Sequence, residues 1–184
     1  MGKRTARRND SSAKTAPYFS AAGFLFRFVA FFVLAQVVFV FLLGDNVQKF
    51  MVEQATVVPG TFVIGSLFPD EQPVARGDTI RSESVNMRVL RGCEGTELYL
   101  LLGAAILAFG APWKQRLIAL LIGGGIVFAL NQARLLCLYV VVRDHFGIFQ
   151  LVHVYIAPLV LIGVLALCFS LWANRVLSPP RQTT

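Results

Sequence analysis

Charge is scarce in this chain, and acidic charge above all. Asp, Glu, Lys and Arg make up 15% of its 184 residues, with 10 acids against 17 bases. Soluble domains carry about 25% charged residues, so an ordinary soluble enzyme is excluded. The 56% hydrophobic content excludes a disordered chain. Cysteine is scarcer still: three residues with no close pair make neither a disulfide framework nor a zinc knuckle. There are two histidines and no ligand cluster, so neither a metal nor an organic cofactor is expected. The net charge of +7 is no signature of nucleic-acid binding, because much of the excess flanks apolar segments. The expected surroundings are a lipid bilayer.

What the chain has is long apolar runs, rich in its 16 phenylalanines. About 20 apolar residues cross a hydrocarbon core, and the runs place spans at about 24–43, 94–111, 117–142 and 151–173. The first is too long, and lacks the small-residue cleavage site, for a signal peptide. Residues 1–22, basic and without periodicity, read as a disordered cytoplasmic tail, and 176–184 as a second cytoplasmic tail. The outer loop 44–92 contains an apolar stretch interrupted by Pro59, Gly60 and Gly65. That stretch reads as an interfacial helix over 45–68. Val85, Met87 and Val89 alternate with Asn86 and Arg88, a strand pattern. The fold class expected is therefore an all-α integral membrane protein. It has about four transmembrane helices and a small extracytoplasmic helix/β-hairpin insertion between spans 1 and 2. Residues 23–175 form one membrane-embedded domain. Gly103, Gly123, Gly124, Gly125 and Gly163 are expected to allow close helix contact. Orientation follows the basic residues. Lys3, Arg4, Arg7, Arg8, Lys14, Lys114, Arg116, Arg175 and Arg181 share one side, where Asp10 is the only acid. Both termini are expected in the cytoplasm.

Ionisable residues inside spans cost about 2.5–3.5 kcal/mol on insertion scales and call for a reason. Arg134 lies eight residues from the end of the third span, about 12 Å deep, with Asn131 one turn before it on the same face. Glu97 is the candidate counter-ion and Glu94 the alternative. An arginine held by an acid purely for helix assembly is the structural reading of the same pattern. His153 lies one turn into the fourth span. A lone histidine on an apolar helix is more often a satisfied polar group, but this one shares a depth zone with Arg134 and Cys93. His145 reads as a solvated loop residue, and Cys137 and Cys168 as small hydrophobes within spans. Cys93, between Arg91-Gly92 and Glu94-Gly95, is placed at a helix N-terminus near cations, where a thiol's pKa falls. Thiolate, imidazole and guanidinium at one membrane face make a nucleophile, a proton carrier and an anion stabiliser.

Cys93 in Gly92-Cys93-Glu94-Gly95, Arg134 in Asn131-Gln132-Ala133-Arg134, and His153 near the start of the last span together resemble the exosortase/archaeosortase family. The similarity covers about residues 70–175. It is greatest to the short exosortase H branch, whose substrates carry a tail signal of the IPTLxxWG type. The resemblance implies a multi-span cysteine protease/transpeptidase of the bacterial cytoplasmic (inner) membrane, its active site facing outward. Its partners would be exported proteins with a C-terminal motif, a single transmembrane segment and a basic end. It implies Cys93, Arg134 and His153 as the catalytic residues and no cofactor or metal, with Asn131 at the family's usual Asn position. Asn131 and Glu97 are expected to hold Arg134 in place. Glu94 departs from the family, where a small or amide residue is usual, and an acid there raises the thiol's pKa unless Arg91 or Arg134 offsets it. Two other readings use the same residues. A non-enzymatic assembly factor for envelope or exopolysaccharide export would need Arg134 but not Cys93. A thiol–disulfide oxidoreductase would need a resolving thiol, and no Cys-x-x-Cys is present.

Overall fold

The computed structural model describes residues 20–90 and 92–178. The expected basic N-terminal tail up to residue 19, the expected C-terminal tail beyond Ser178, and Arg91 lie outside the described residues. Helix α1, Ala21–Val38, is capped by Ser20, whose hydroxyl accepts from the Gly23 amide, and runs on into a π turn over Phe39–Leu43. Helix α2 is Gly44–Leu67. A three-stranded antiparallel sheet follows: β1 Val74–Arg76, β2 Thr79–Arg81 and β3 Asn86–Arg88, in the order β1-β2-β3. The chain then forms α3, Thr96–Ala108, α4, Trp113–Asp144, and α5, Phe146–Leu177. Four of these helices are long and apolar enough to cross a membrane: Ala21–Phe41, α2, α4 and α5, with mean hydropathies of 2.4, 1.3, 1.8 and 2.5. The protein is an α-helical membrane protein, and Leu25, Phe26, Leu121 and Leu159 face outward from it.

The four helices of spanning length are not the four expected. Helix α3, taken as a span over 94–111, has 13 residues, about 20 Å. It starts late because Gly95 takes a left-handed φ of 81°, and it stops before Pro112. Helix α2 covers the region expected as a helix over 45–68 and is continuous through Pro59, Gly60 and Gly65, which break the apolar stretch there. Proline has no amide hydrogen to give to the carbonyl four residues back, here that of Ala55. Gln132 on α4 supplies the missing donor, its amide 3.2 Å from that oxygen. The turn before the proline widens to a π turn, Glu53–Val57, with Val58 N–H donating to the Glu53 carbonyl. Gly60 is required by packing, since a methyl there would overlap Leu135.

Helices α3 and α4 are antiparallel. Gly95 lies against Asn131 and Gly123 against Leu102, so α3 runs from the middle of α4 towards its Trp113 end. A Cβ on Gly123 would stand 2.7 Å from the Leu102 methyl, which fits the expected close contact. Gly125 and Gly163, by contrast, face open space and hold no helix contact. Phe24 of α1 stacks with Phe169 and meets Phe109 edge-on, closing the bundle at the Trp113 end.

The other end of α4 carries the sheet and the second half of α2. Ile80, Val85, Met87 and Val89 are buried with Leu135, Leu138 and Tyr139. Tyr139 is fully buried, its hydroxyl 2.8 Å from that of Ser82, which donates to Glu71. Glu71 also accepts from Ser84, and these bonds hold its carboxyl down at about 2. Phe68 stacks on Tyr139 and the Arg143 guanidinium caps Phe68 at 4.2 Å.

Candidate active site

The segment leaving β3 is bent into a loop by two glycines in left-handed conformation, Gly92 at φ 87° and Gly95 at φ 81°. The Val89 amide still bonds the Asp78 carbonyl at 2.8 Å, and the Cys93 amide bonds the Leu90 carbonyl at 3.0 Å. Asn131 clamps the loop's far side, its side-chain amide donating to the Glu94 carbonyl at 3.0 Å while its carboxamide abuts Gly95. The Thr56 hydroxyl is 3.5 Å from the same carbonyl, with its shorter bond, 2.9 Å, going to Met51. Asn131 thus positions the cysteine loop, and among the described residues it makes no bond to Arg134, contrary to the role expected from the sequence.

The loop points Cys93 at two side chains from distant parts of the chain. Its Sγ lies 3.8 Å from His153 Nε2 and 4.0 Å from Arg134 Nη2. Met87, Arg88, Val89, Leu135, Leu138 and Phe149 complete the walls of the cleft they share. His153 stands on a π turn, Val152–Ile156, and its ring lies flat on Phe149, centroids 5.2 Å apart at 7°. Its Nδ1 is buried and without a partner among the described residues, so the ring plane is set by Phe149 and not by an acid. Phe149 was legible in the sequence as the residue one turn before His153 but was not singled out.

Neither acid serves as a counter-ion. Among the described residues Arg134 forms no ion pair with Glu94 or Glu97, and its Nε is unpartnered. Glu97 is exposed on the opposite side of the loop, in a polar cleft with Gln36, Asp45 and Gln48. Glu94 is only 3% exposed, with Oε2 unpartnered. The expected lowering of the Cys93 pKa is reversed. Burial pushes the thiol above its ordinary value, Arg134 pulls it part of the way back, and Glu94 raises it further. The cysteine also sits two residues before the cap of α3 and gains little from the helix terminus. The contribution of Arg91 lies outside the described residues.

Cys137 and Cys168 lie away from this cleft, and His145 is exposed. Among the described residues no group of three or more His, Cys, Asp and Glu is arranged to hold a metal ion. The arrangement can transfer a proton from Cys93 to His153 and oppose a negative charge with Arg134. The chain matches no protein-family model, no curated protein and no solved structure.

Proposed function

We propose that this protein is an exosortase-like, membrane-embedded cysteine protease/transpeptidase that cleaves C-terminal sorting signals of exported proteins. The observation that carries the reading is the meeting of Cys93 Sγ, His153 Nε2 and Arg134 Nη2 within 4.0 Å, across 41 and 60 residues of sequence. His153 takes the thiol proton as sulfur attacks the scissile carbonyl, so no standing thiolate is needed. Arg134 faces the oxyanion of the tetrahedral intermediate. The C–N bond then breaks, the leaving amine takes the proton from His153, and the acyl group stays on Cys93 as a thioester. An acceptor gives its proton to His153, attacks the thioester and restores the thiol.

The geometry supports a bilayer position for this site. Lys114, Arg116 and Arg175 gather at one end of α4 and α5 and mark the cytoplasmic face. Asn131 and Arg134 stand 18 and 21 residues above Trp113, about 27 and 32 Å. His153 stands 22 residues from Arg175, about 33 Å. These heights are close to one hydrocarbon thickness, about 30 Å, which supports a cleft near the outer boundary. The contacts of α2 with α4 and with the cysteine loop involve Gln132, Leu135 and Glu94, all at about that level or above. This supports α2 as a helix lying on the outer face despite its spanning length.

The test uses a reporter: a tagged exported protein from the same genome that ends in an extended segment, one apolar span and a basic tail. Its processing is read by gel shift, with each variant at matched abundance. Cys93→Ser and Cys93→Ala abolish processing. Arg134→Lys accumulates normally but processes at least about 100-fold more slowly, because an ammonium lacks the planar donor fork of guanidinium. Processing by Cys93→Ala at the parental rate removes the enzyme reading and leaves the assembly factor.

A further inference from the structure

The sheet has an open edge beside the nucleophile. β3 is the last strand in the order β1-β2-β3, paired on one side only among the described residues. Ser82 N–H donates to the Val85 carbonyl and Val89 N–H donates to the Asp78 carbonyl, both at 2.8 Å. In an antiparallel ladder a residue's N–H and C=O point to the same side, and successive residues alternate. Residues 85, 87 and 89 therefore spend their main-chain groups on β2, and Asn86 and Arg88 turn theirs to the open edge. An unpaired edge is a template for another strand, and proteins exploit it to bind extended peptides. This one borders the cleft that Met87, Arg88 and Val89 share with Phe149, His153, Arg134 and Cys93. The chain reaches Cys93 five residues after Arg88.

The geometry points to β3 as the docking strand for the substrate. The extended segment ahead of the substrate's span adds to the sheet through the main-chain groups of Asn86 and Arg88, parallel to β3. The occupant and its direction follow from the path of this chain. From β3 it passes the cysteine loop and continues as α3 towards the Lys114 end. An exported protein held by a C-terminal span runs the same way: an extended segment outside, a scissile bond at the boundary, then a helix going in. A parallel strand on β3 carries its scissile carbonyl down to Cys93, whereas an antiparallel one would send its span away from the bilayer. The cleft wall is mostly apolar, with Met87, Val89, Leu135, Leu138 and Phe149. Alternate substrate side chains that point inward are therefore apolar, and the outward ones are unrestricted.

This inference rests on the protease reading, and the experiment separates their failures. Iodoacetamide labels Cys93 without a substrate strand. An eight-residue peptide copied from the reporter's extended segment protects Cys93 from that label. N-methylation at alternate peptide positions, those facing β3, weakens protection about ten-fold or more, the scale of one lost hydrogen bond. The intervening positions tolerate it. Arg88→Pro removes one outward N–H and leaves the bonds of residues 87 and 89 to β2. It keeps iodoacetamide labelling but loses peptide protection and reporter processing, whereas Arg88→Ala, which retains that N–H, keeps peptide protection. N-methyl effects without a period of two, or peptide protection of Arg88→Pro equal to that of Arg88→Ala, overturn strand docking and leave the cysteine chemistry standing. If Cys93→Ala processes the reporter, the protease reading fails, whatever the strand result.

Discussion

Cys93 is shielded enough that its thiol rests neutral, and the two charges beside it work in opposite directions. Burial and Glu94 raise the pKa, and Arg134 lowers it. The sign of each variant follows. Removing the cation in Arg134→Met destabilises the thiolate and moves the midpoint further up. Removing the anion in Glu94→Gln moves it down. The pH dependence of iodoacetamide labelling at Cys93 measures all three midpoints. The parent is expected above an ordinary thiol, Arg134→Met above the parent, and Glu94→Gln below it. A parental midpoint below an ordinary thiol would restore the standing thiolate expected from the sequence. That expectation took the cysteine's neighbours along the chain as its environment. The environment that governs it is the burial created by β3, α4 and α5 closing over the loop, which spacing does not encode. The loneliness of Arg134 and His153 in apolar runs was legible, because lipid makes such residues costly wherever they fall. The partner of Asn131 was not, since it is a main-chain carbonyl 37 residues away.

Among the described residues two helices pass through a proline, and each does it the same way. Pro59 and Pro158 both follow a π turn, Glu53–Val57 and Val152–Ile156. The residue before each proline donates to the carbonyl five residues back, Val58 to Glu53 and Ala157 to Val152. A proline gives no hydrogen to the carbonyl four back and its ring crowds it, and the wider turn relieves both. The second of these turns carries His153. Pro158 thus sets the angle at which the imidazole leaves α5, without touching the cleft. Pro158→Ala is expected to let the turn relax towards α-helix and swing His153 off Cys93. Reporter processing should fall about 100-fold, the cost of misplacing a group by an ångström, at unchanged abundance and with stability equal or higher. Rate unchanged in Pro158→Ala would separate the π turn from the position of His153. Both prolines are visible in the sequence, and only Pro59 reads there as a break in an apolar run. Continuity through Pro59 depends on Gln132 reaching the freed carbonyl of Ala55, a contact across 77 residues.

As a whole the molecule divides along α4, a 32-residue helix about 48 Å long. Its Trp113 half is clothed by α3 and α5 with apolar side chains outward. Its Asp144 half is clothed by the sheet and the end of α2. Composition showed the apolar runs but not this division, because α2 is apolar enough to span and α3, which lies within the bundle, is too short to do so alone. Topology reporters distinguish the cases. Fusions after Asp45 and after Phe68 are expected on the same, outer side. Fusions after Trp113, Phe146 and Arg175 are expected in, out and in. A fusion after Phe68 active on the inner side would make α2 a true crossing and reverse everything that follows it.

On the protease reading, the height of the cleft above the Lys114–Arg175 level makes the protein a gauge. Asn131 ties the cysteine loop to its helix at a fixed distance from those charges, and on that reading a substrate's own basic end is moored at the same face. Its scissile bond comes level with Cys93 only when its span is about as long as the stretch from Trp113 to Arg134, roughly 20 residues. Four extra leucines in the reporter's span add about 6 Å, more than tilt absorbs without cost. The bond is then carried past the cleft, and cleavage should slow, or shift towards the span by the residues that restore the height. Cleavage at the original bond and rate would mean that the substrate is measured from its outer end alone.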